Sequence, residues 1–281
     1  MTKLFVSDVD GTLVDRRAQL SARSRKGLHA LLERGLPFTV ASARSAFSLS
    51  VMLAGLPLRL PVIEFNGAFL TELATGKRAF VRAIDRALCD DIYERGHRLG
   101  LAPFVSSFDG KRDLLYAGPP ANEGMNWYLD ERIAFRDPRL ERVDDVRVGL
   151  RYATVCMTFI AREQTLRPLF EALEAAYPTR LRLNFYENHY SPGWHWLSVH
   201  DFLSTKAHAL AVLCEQVGVP LSDLTVFGDE QNDIPMFEIA GRAIAVGNAH
   251  PALRPLAHEI IADHEQDSVV EYLERNYPTH T

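Results

Sequence analysis

The 281-residue sequence predicts an α/β fold with a parallel-sheet core and an inserted α+β domain. Three observations predict it. Short apolar runs alternate with amphipathic, helix-like stretches at both ends of the chain. Those runs end in Asp, Gly, Ser or Asn, the residues of tight turns. From about 82 to 190 the alternation changes to mixed helix and strand order, so the core is expected at 1–81 and 191–281 and the insert at 82–190.

The elements follow in order. Leu4 to Asp8 reads as a short buried strand, Ser21 to Arg34 as a helix and Leu36 to Ala41 as a strand. Ser45 to Ala54 is helix-like and Pro61 to Phe65 strand-like; right-handed crossovers would make these strands one parallel, Rossmann-like sheet. The insert reads as helix Ala83 to Leu99, strands at Phe104-Val105 and Leu114 to Tyr116, and a helical stretch at Asn122 to Arg132. Strand Thr154 to Ile160, helix Gln164 to Tyr177 and strand Leu181 to Tyr186 complete it. Then come the strand-like Trp196 to Val199, a helix beginning at Lys206, strand Leu224 to Phe227, helix Ile234 to Ala240 and a strand end at Ala243 to Ala249.

Asp8-Val9-Asp10-Gly11-Thr12 carries the most chemistry. It emerges at the carboxyl end of the first strand, where open α/β sheets bind ligands. Residues i and i+2 of a strand share a face, so Asp8 and Asp10 can address one site. Two like charges that close resist ionising together. A hard cation relieves this, and Mg²⁺ takes one or two carboxylates beside water and substrate phosphate. An Asx-type turn is the plainer reading of the same residues. Gly228-Asp229-Glu230-Gln231-Asn232-Asp233 repeats the pattern after a second strand: a tight acidic turn, then a helix start. Asp233 is equally placed to cap that helix; capping alone does not call for Asp229.

With both motifs in one chain, the sequence resembles the haloacid dehalogenase (HAD)-like hydrolases, of the Cof-like type with a large C2-type cap. The resemblance rests on Asp8 to Thr12, Ser42 to Arg44, Lys206, and Gly228 to Asp233, and spans nearly the whole chain. It implies a Mg²⁺-dependent phosphatase acting on a small phosphorylated metabolite, with a sugar phosphate leading, through an aspartyl phosphate. Asp8 would be the nucleophile and Asp10 the general acid and base. Asp8, Asp229 and the Asp10 backbone carbonyl would hold Mg²⁺. Ser42, Lys206 and Asn232 would bind phosphate. Thr12, Glu230 and Asp233 would support these groups, Thr12 either through Asp10 or as a turn hydroxyl. Arg44, Asn66 and Gly67 would lie near substrate, and the cap would close over it.

Each position also has a plainer reading. Ser42, between a strand and a helix, reads as an N-cap. Arg44 reads as a solvated helix-end charge and Asn66-Gly67 as a turn. Lys206 opens a helix, where the dipole disfavours a cation, so it calls for an anion. The family usually has Thr-Gly-Arg and Lys-Gly where this chain has Ser42-Ala43-Arg44 and Lys206-Ala207. His189, His195 and His200 lie near Tyr190, Trp194 and Trp196, but their spacing does not match a zinc site. His189, Tyr190 or Trp194 is expected at the hinge between domains. Lys111 and Arg112 read as hairpin charges.

Composition excludes other classes. A net charge of −5 argues against a general nucleic-acid binder. No apolar run approaches the roughly 20 residues that span a bilayer. Met1-Thr2-Lys3 leads directly into the first strand, so no leader is expected. Three separated cysteines, Cys89, Cys156 and Cys214, read as reduced thiols of a cytoplasmic protein, monomer or homodimer. A phosphomutase on the same fold and a non-catalytic binding module are the competing readings.

Overall fold

The computed structural model describes residues 3–188 and 191–277. In chain order it contains β1 (Leu4–Ser7), α1 (Ala22–Glu33), β2 (Phe38–Val40), α2 (Ala46–Met52), β3 (Val62–Glu64), β4 (Phe69–Thr71) and β5 (Arg78–Val81). Then follow α3 (Arg86–Arg98), β6 (Phe104–Phe108), β7 (Asp113–Ala117), α4 (Glu123–Ala134), β8 (Leu140–Arg142), β9 (Ala153–Ala161), α5 (Glu163–Ala176), β10 (Leu181–Glu187) and β11 (His195–Asp201). The chain ends with α6 (Lys206–Val217), β12 (Leu224–Gly228), α7 (Ile234–Ile239), β13 (Arg242–Ala245), β14 (Glu259–Ile260) and α8 (Ser268–Asn276). Two compact units result. One runs to Val81 and resumes at Thr205; the other is Arg82–Ser204.

The first unit is built on a parallel sheet ordered β14-β13-β12-β1-β2. A parallel sheet buries both faces, and β1 shows why its sequence is nearly all apolar. Phe5 joins one core cluster with Leu28, Leu31 and Val270; Leu4 and Val6 join another with Leu210, Leu213 and Met236. Burying each such side chain contributes about 1.5–3 kcal/mol. The chain crosses from β1 to β2 on one side and pairs β1 with β12 on the other. The carboxyl end of β1 is therefore a topological switch point.

β3 departs from expectation. It makes only a parallel bridge, Ala41 to Ile63, beside β2, and belongs to an antiparallel sheet with β4 and β5. The cause is the turn after it. Phe65 and Asn66 both have positive φ, 49° and 54°, and reverse the chain at once.

The second unit carries a six-stranded sheet ordered β10-β11-β9-β6-β7-β8, antiparallel except where β7 meets β8. Side-chain alternation gives it two cores. Val105, Met157 and Phe159 pack with Ile92 of α3 and Leu169 of α5; Phe104, Ile160 and Trp196 pack with Met125 and Leu129 of α4. The return to the first unit falls at Thr205, where the sequence reading put it at 191. β11 accounts for the difference: it pairs with β10 and β9 over its length.

Among the described residues no helix is long and apolar enough to cross a membrane. Cys89, Cys156 and Cys214 are buried and unbridged.

Candidate active site

Four strand ends of the parallel sheet converge. β1 delivers Asp8 and Asp10, β2 delivers Ser42 and Arg44, β12 delivers Asp229, and β13 leads to Asn248. Lys206 arrives from the first turn of α6. That helix is capped by Thr205, whose side chain accepts the His208 N–H, and is held by buried Ala209, Leu210 and Leu213.

Lys206 is 1% exposed and its Nζ lies between two carboxylates, 2.5 Å from Asp8 Oδ1 and 2.6 Å from Asp233 Oδ1. Burial works against its charge, yet Asp233 and Asp8 together raise its pKa. Asp233, fully buried, makes two further bonds: Oδ2 accepts the backbone N–H of Asp229 (2.9 Å) and of Glu230 (3.1 Å). Glu230 accepts the Gln231 N–H in the same turn and closes a reciprocal capping box with Asp233. Asp233 gives no side-chain cap to α7 itself. It caps the preceding turn and anchors Lys206.

The balance of charge is negative. Asp8, Asp229 and Asp233 offer carboxylate oxygens within 4.8 Å of one another, around one ammonium. Burial raises the pKa of Asp8 well above the usual carboxylate range; Lys206 opposes this, but Asp233 and Asp229 add to it. Asp229 is pushed up to about 6 by burial and by Asp233. Such a group of carboxylates fits a divalent cation. Asp233 is already committed to Lys206 and two amides, so Asp8 and Asp229 are the carboxylates suited to hold it.

Thr12 donates to Asp229 Oδ1 at 2.7 Å, not to Asp10 as the sequence reading allowed. Gly11 has φ +73°, and a Cβ there would lie 2.3 Å from Asp229 Oδ2, so glycine is required by both backbone and space.

Asp10 is gripped by Arg44, whose Nε and Nη2 each donate at 2.7 Å to a different carboxylate oxygen. This overturns the reading of Arg44 as a solvated charge. Ser42 is not the helix cap either: Ser45 caps α2 by accepting the Ser48 N–H, and Ser42 Oγ accepts the Arg44 N–H at 3.1 Å. Asn232 donates to Asn66 Oδ1 at 3.3 Å, joining two of the expected positions. Gly67 has a packing role. Its φ is +108°, and a Cβ there would lie 2.2 Å from the Thr205 carbonyl, beside Lys206.

Sequence reasoning missed Asn248, whose Nδ2 donates to the Gly11 carbonyl at 2.8 Å. The signal was present: Gly247-Asn248 follows a strand of the same sheet. It also missed Glu64, buried behind the Ser42 loop, which accepts from the Ala46 N–H and the Thr71 hydroxyl.

The aromatic and histidine positions lie elsewhere. Trp194 belongs to the second unit, packed on Gly124 and stacked under Arg162 at 3.9 Å. His195 and His200 sit five residues apart on β11 and so face opposite sides. Burial pushes His200 down to about 4. Arg112 pairs with Glu141 at 3.0 Å, and Asp109 accepts the Lys111 and Arg112 N–H groups of their hairpin. His189 and Tyr190 lie outside the described residues.

Comparison with known proteins gives the family. The family model for haloacid dehalogenase-like hydrolases matches residues 5–273. The chain belongs to that family. A 5-amino-6-(5-phospho-D-ribitylamino)uracil phosphatase of Bacillus subtilis is 23% identical over 97% of both chains. The HMP-PP phosphatase of Cronobacter sakazakii is 25% identical over 97% of this chain and 95% of its own. A haloacid dehalogenase-like hydrolase from Bacteroides thetaiotaomicron superposes with a TM-score of 0.78 at 20% identity, covering 98% of this chain and all of the other. The protein is a hydrolase of that family, and the curated relatives it matches are named as phosphatases.

Proposed function

We propose that the protein hydrolyses a small phosphomonoester, a sugar phosphate or similar metabolite, in two steps through an aspartyl phosphate. The carrying observation is the group of Asp8, Asp229 and Asp233, with oxygens within 4.8 Å of one another and one ammonium, that of Lys206, bridging Asp8 and Asp233.

Asp8 is the nucleophile. With Oδ1 held by Lys206, Oδ2 attacks phosphorus as the ester P–O bond breaks. Asp10 gives its proton to the leaving oxygen, then takes one from the water that attacks the aspartyl phosphate. The P–O bond to Asp8 breaks and phosphate leaves. Lys206 and Ser42 bind the phosphoryl oxygens, and Asn232 orients the ester side. A Mg²⁺ ion held by Asp8, Asp229 and the Asp10 backbone carbonyl would neutralise phosphoryl charge as it develops. Relatives named for phosphorylated metabolites, one carrying a phosphoribityl group, support the substrate class. Three buried thiols support a reducing, cytoplasmic setting.

The test is release of free phosphate from a panel of phosphorylated metabolites, with Mg²⁺ and with chelator. Metal-dependent release confined to a few compounds is expected. An isomerised sugar phosphate in place of free phosphate would overturn hydrolysis in favour of mutase chemistry.

A further inference from the structure

We propose that Arg44 is a positioning residue for Asp10: its guanidinium fork sets the orientation of the carboxylate that delivers and removes the proton. The inference rests on the phosphotransfer reading above and assigns Arg44 to proton transfer, not to substrate binding.

Asp10 needs such a partner. It sits in a turn after β1 with its side chain 42% exposed, where packing alone does not fix its rotamer. The two 2.7 Å contacts, one to each oxygen, are a bidentate pair, which fixes the plane of the carboxylate as well as its place. An ionised carboxylate has about four lone-pair sites. A fork uses one on each oxygen, so Asp10 is held and still keeps an acceptor site for a proton in transit.

Arg44 is itself anchored. Its carbonyl accepts the Phe65 N–H at 3.1 Å, and the Ser42 carbonyl accepts the Asn66 N–H at 2.9 Å. Glu64 binds the Ala46 N–H at the start of α2. The loop carrying Arg44 is thus strapped on both sides to the β3–β4 turn. On the other side, Asn248 holds the Gly11 carbonyl next to Asp10. The fork joins two fixed loops, and its Nε–Nη2 edge faces protein. A residue that bound a substrate anion through that edge would have to abandon Asp10 to do so.

The experiment uses ring-substituted phenyl phosphates, which share shape and charge and differ in how much help the departing phenol needs. In Arg44→Gln, kcat/KM for phenyl phosphate is expected to fall about 10–100-fold, a part of the roughly 10²–10⁴-fold that acid–base catalysis contributes, while p-nitrophenyl phosphate changes by less than about threefold. Retained p-nitrophenyl phosphate turnover shows that the variant is folded. Arg44→Lys should not restore phenyl phosphate turnover, because an ammonium cannot form the fork. Arg44→Gln combined with Asp10→Asn should be no slower than Asp10→Asn alone. A uniform fall across the series, recovery in Arg44→Lys or additive losses would overturn the assignment. Asp8→Asn, run in parallel, separates the two levels: full turnover in that variant defeats the underlying mechanism whatever Arg44 does.

Discussion

Two buried charge networks in this molecule are built from similar parts and behave oppositely. In the first unit, Asp8, Asp229 and Asp233 cluster with one lysine, which bridges Asp8 and Asp233. In the second, Arg139 grips Asp137 at 2.6 Å, with Arg132 at 3.7 Å. Burial opposes ionisation in both. In the second network the hydrogen bonds and charge of Arg139, with Arg132 beyond, outweigh burial and hold Asp137 below the usual range. In the first, one ammonium shared between two carboxylates does not, so Asp8 and Asp229 rise. A balanced network closes a loop. An unbalanced one, at the switch point of a parallel sheet, suits the cation and the anionic substrate proposed above.

The largest difference should appear in turnover. Asp8→Asn removes the proposed nucleophile with little change of shape, and phosphate release should fall by about 10⁴-fold or more. Asp137→Asn should leave the turnover of the folded enzyme intact. Comparable losses in the two variants would erase the distinction.

Stability should separate the networks with opposite signs. Asp137→Asn removes the carboxylate that Arg139 grips with two hydrogen bonds and should cost about 3 kcal/mol in urea unfolding. In chelator, Asp229→Asn should be neutral or stabilising by about 1 kcal/mol, because it removes excess negative charge yet keeps an oxygen for Thr12. A loss of several kcal/mol in Asp229→Asn would mean that the first network is also structural.

The pH dependence follows from the same shifts. Asp229 at about 6, against an unfolded value of 3.8, binds its proton more tightly when folded. Its contribution is therefore present below the unfolded value and lost as pH rises through about 4 to 6. Asp137, held low, contributes above its unfolded value and loses that contribution as pH falls below it. Without metal, the Tm of wild type minus that of Asp229→Asn should fall from pH 4 to 7. Saturating Mg²⁺ at about 100 times Kd should add about 2.7 kcal/mol to wild type at pH 7. A difference that rises with pH in chelator would refute the excess-charge account.

How much of this was legible in the sequence depended on range. The strand ends at Asp8, Ser42 and Asp229 were readable because apolar runs stopping at acidic or hydroxyl residues are local signals. The fork between Asp10 and Arg44, 34 positions apart, and the contact of Thr12 with Asp229, 217 apart, were not. They depend on which loops the sheet order makes neighbours. β3 keeps one parallel bridge beside β2, but its apolar run says nothing of the antiparallel partner that the turn at Phe65 and Asn66 brings to it. The return from the second unit was set too early because β11 reads as a strand without naming its sheet.

The smallest effect tests two serines three residues apart. On position alone Ser42 reads as the helix cap, but the cap is Ser45, which holds the Ser48 N–H. Ser45→Ala should cost about 1 kcal/mol, the usual loss for a capping hydroxyl. It should leave kcat/KM nearly unchanged, because Glu64 still fixes the Ala46 N–H. Ser42→Ala gives up only the local bond from the Arg44 N–H and should cost about 0.5 kcal/mol. Its turnover should fall further, since its hydroxyl is the one assigned to phosphate. Urea unfolding and phosphate release on both variants settle the division: a larger stability loss in Ser42→Ala, with turnover retained, would return Ser42 to the role of a cap.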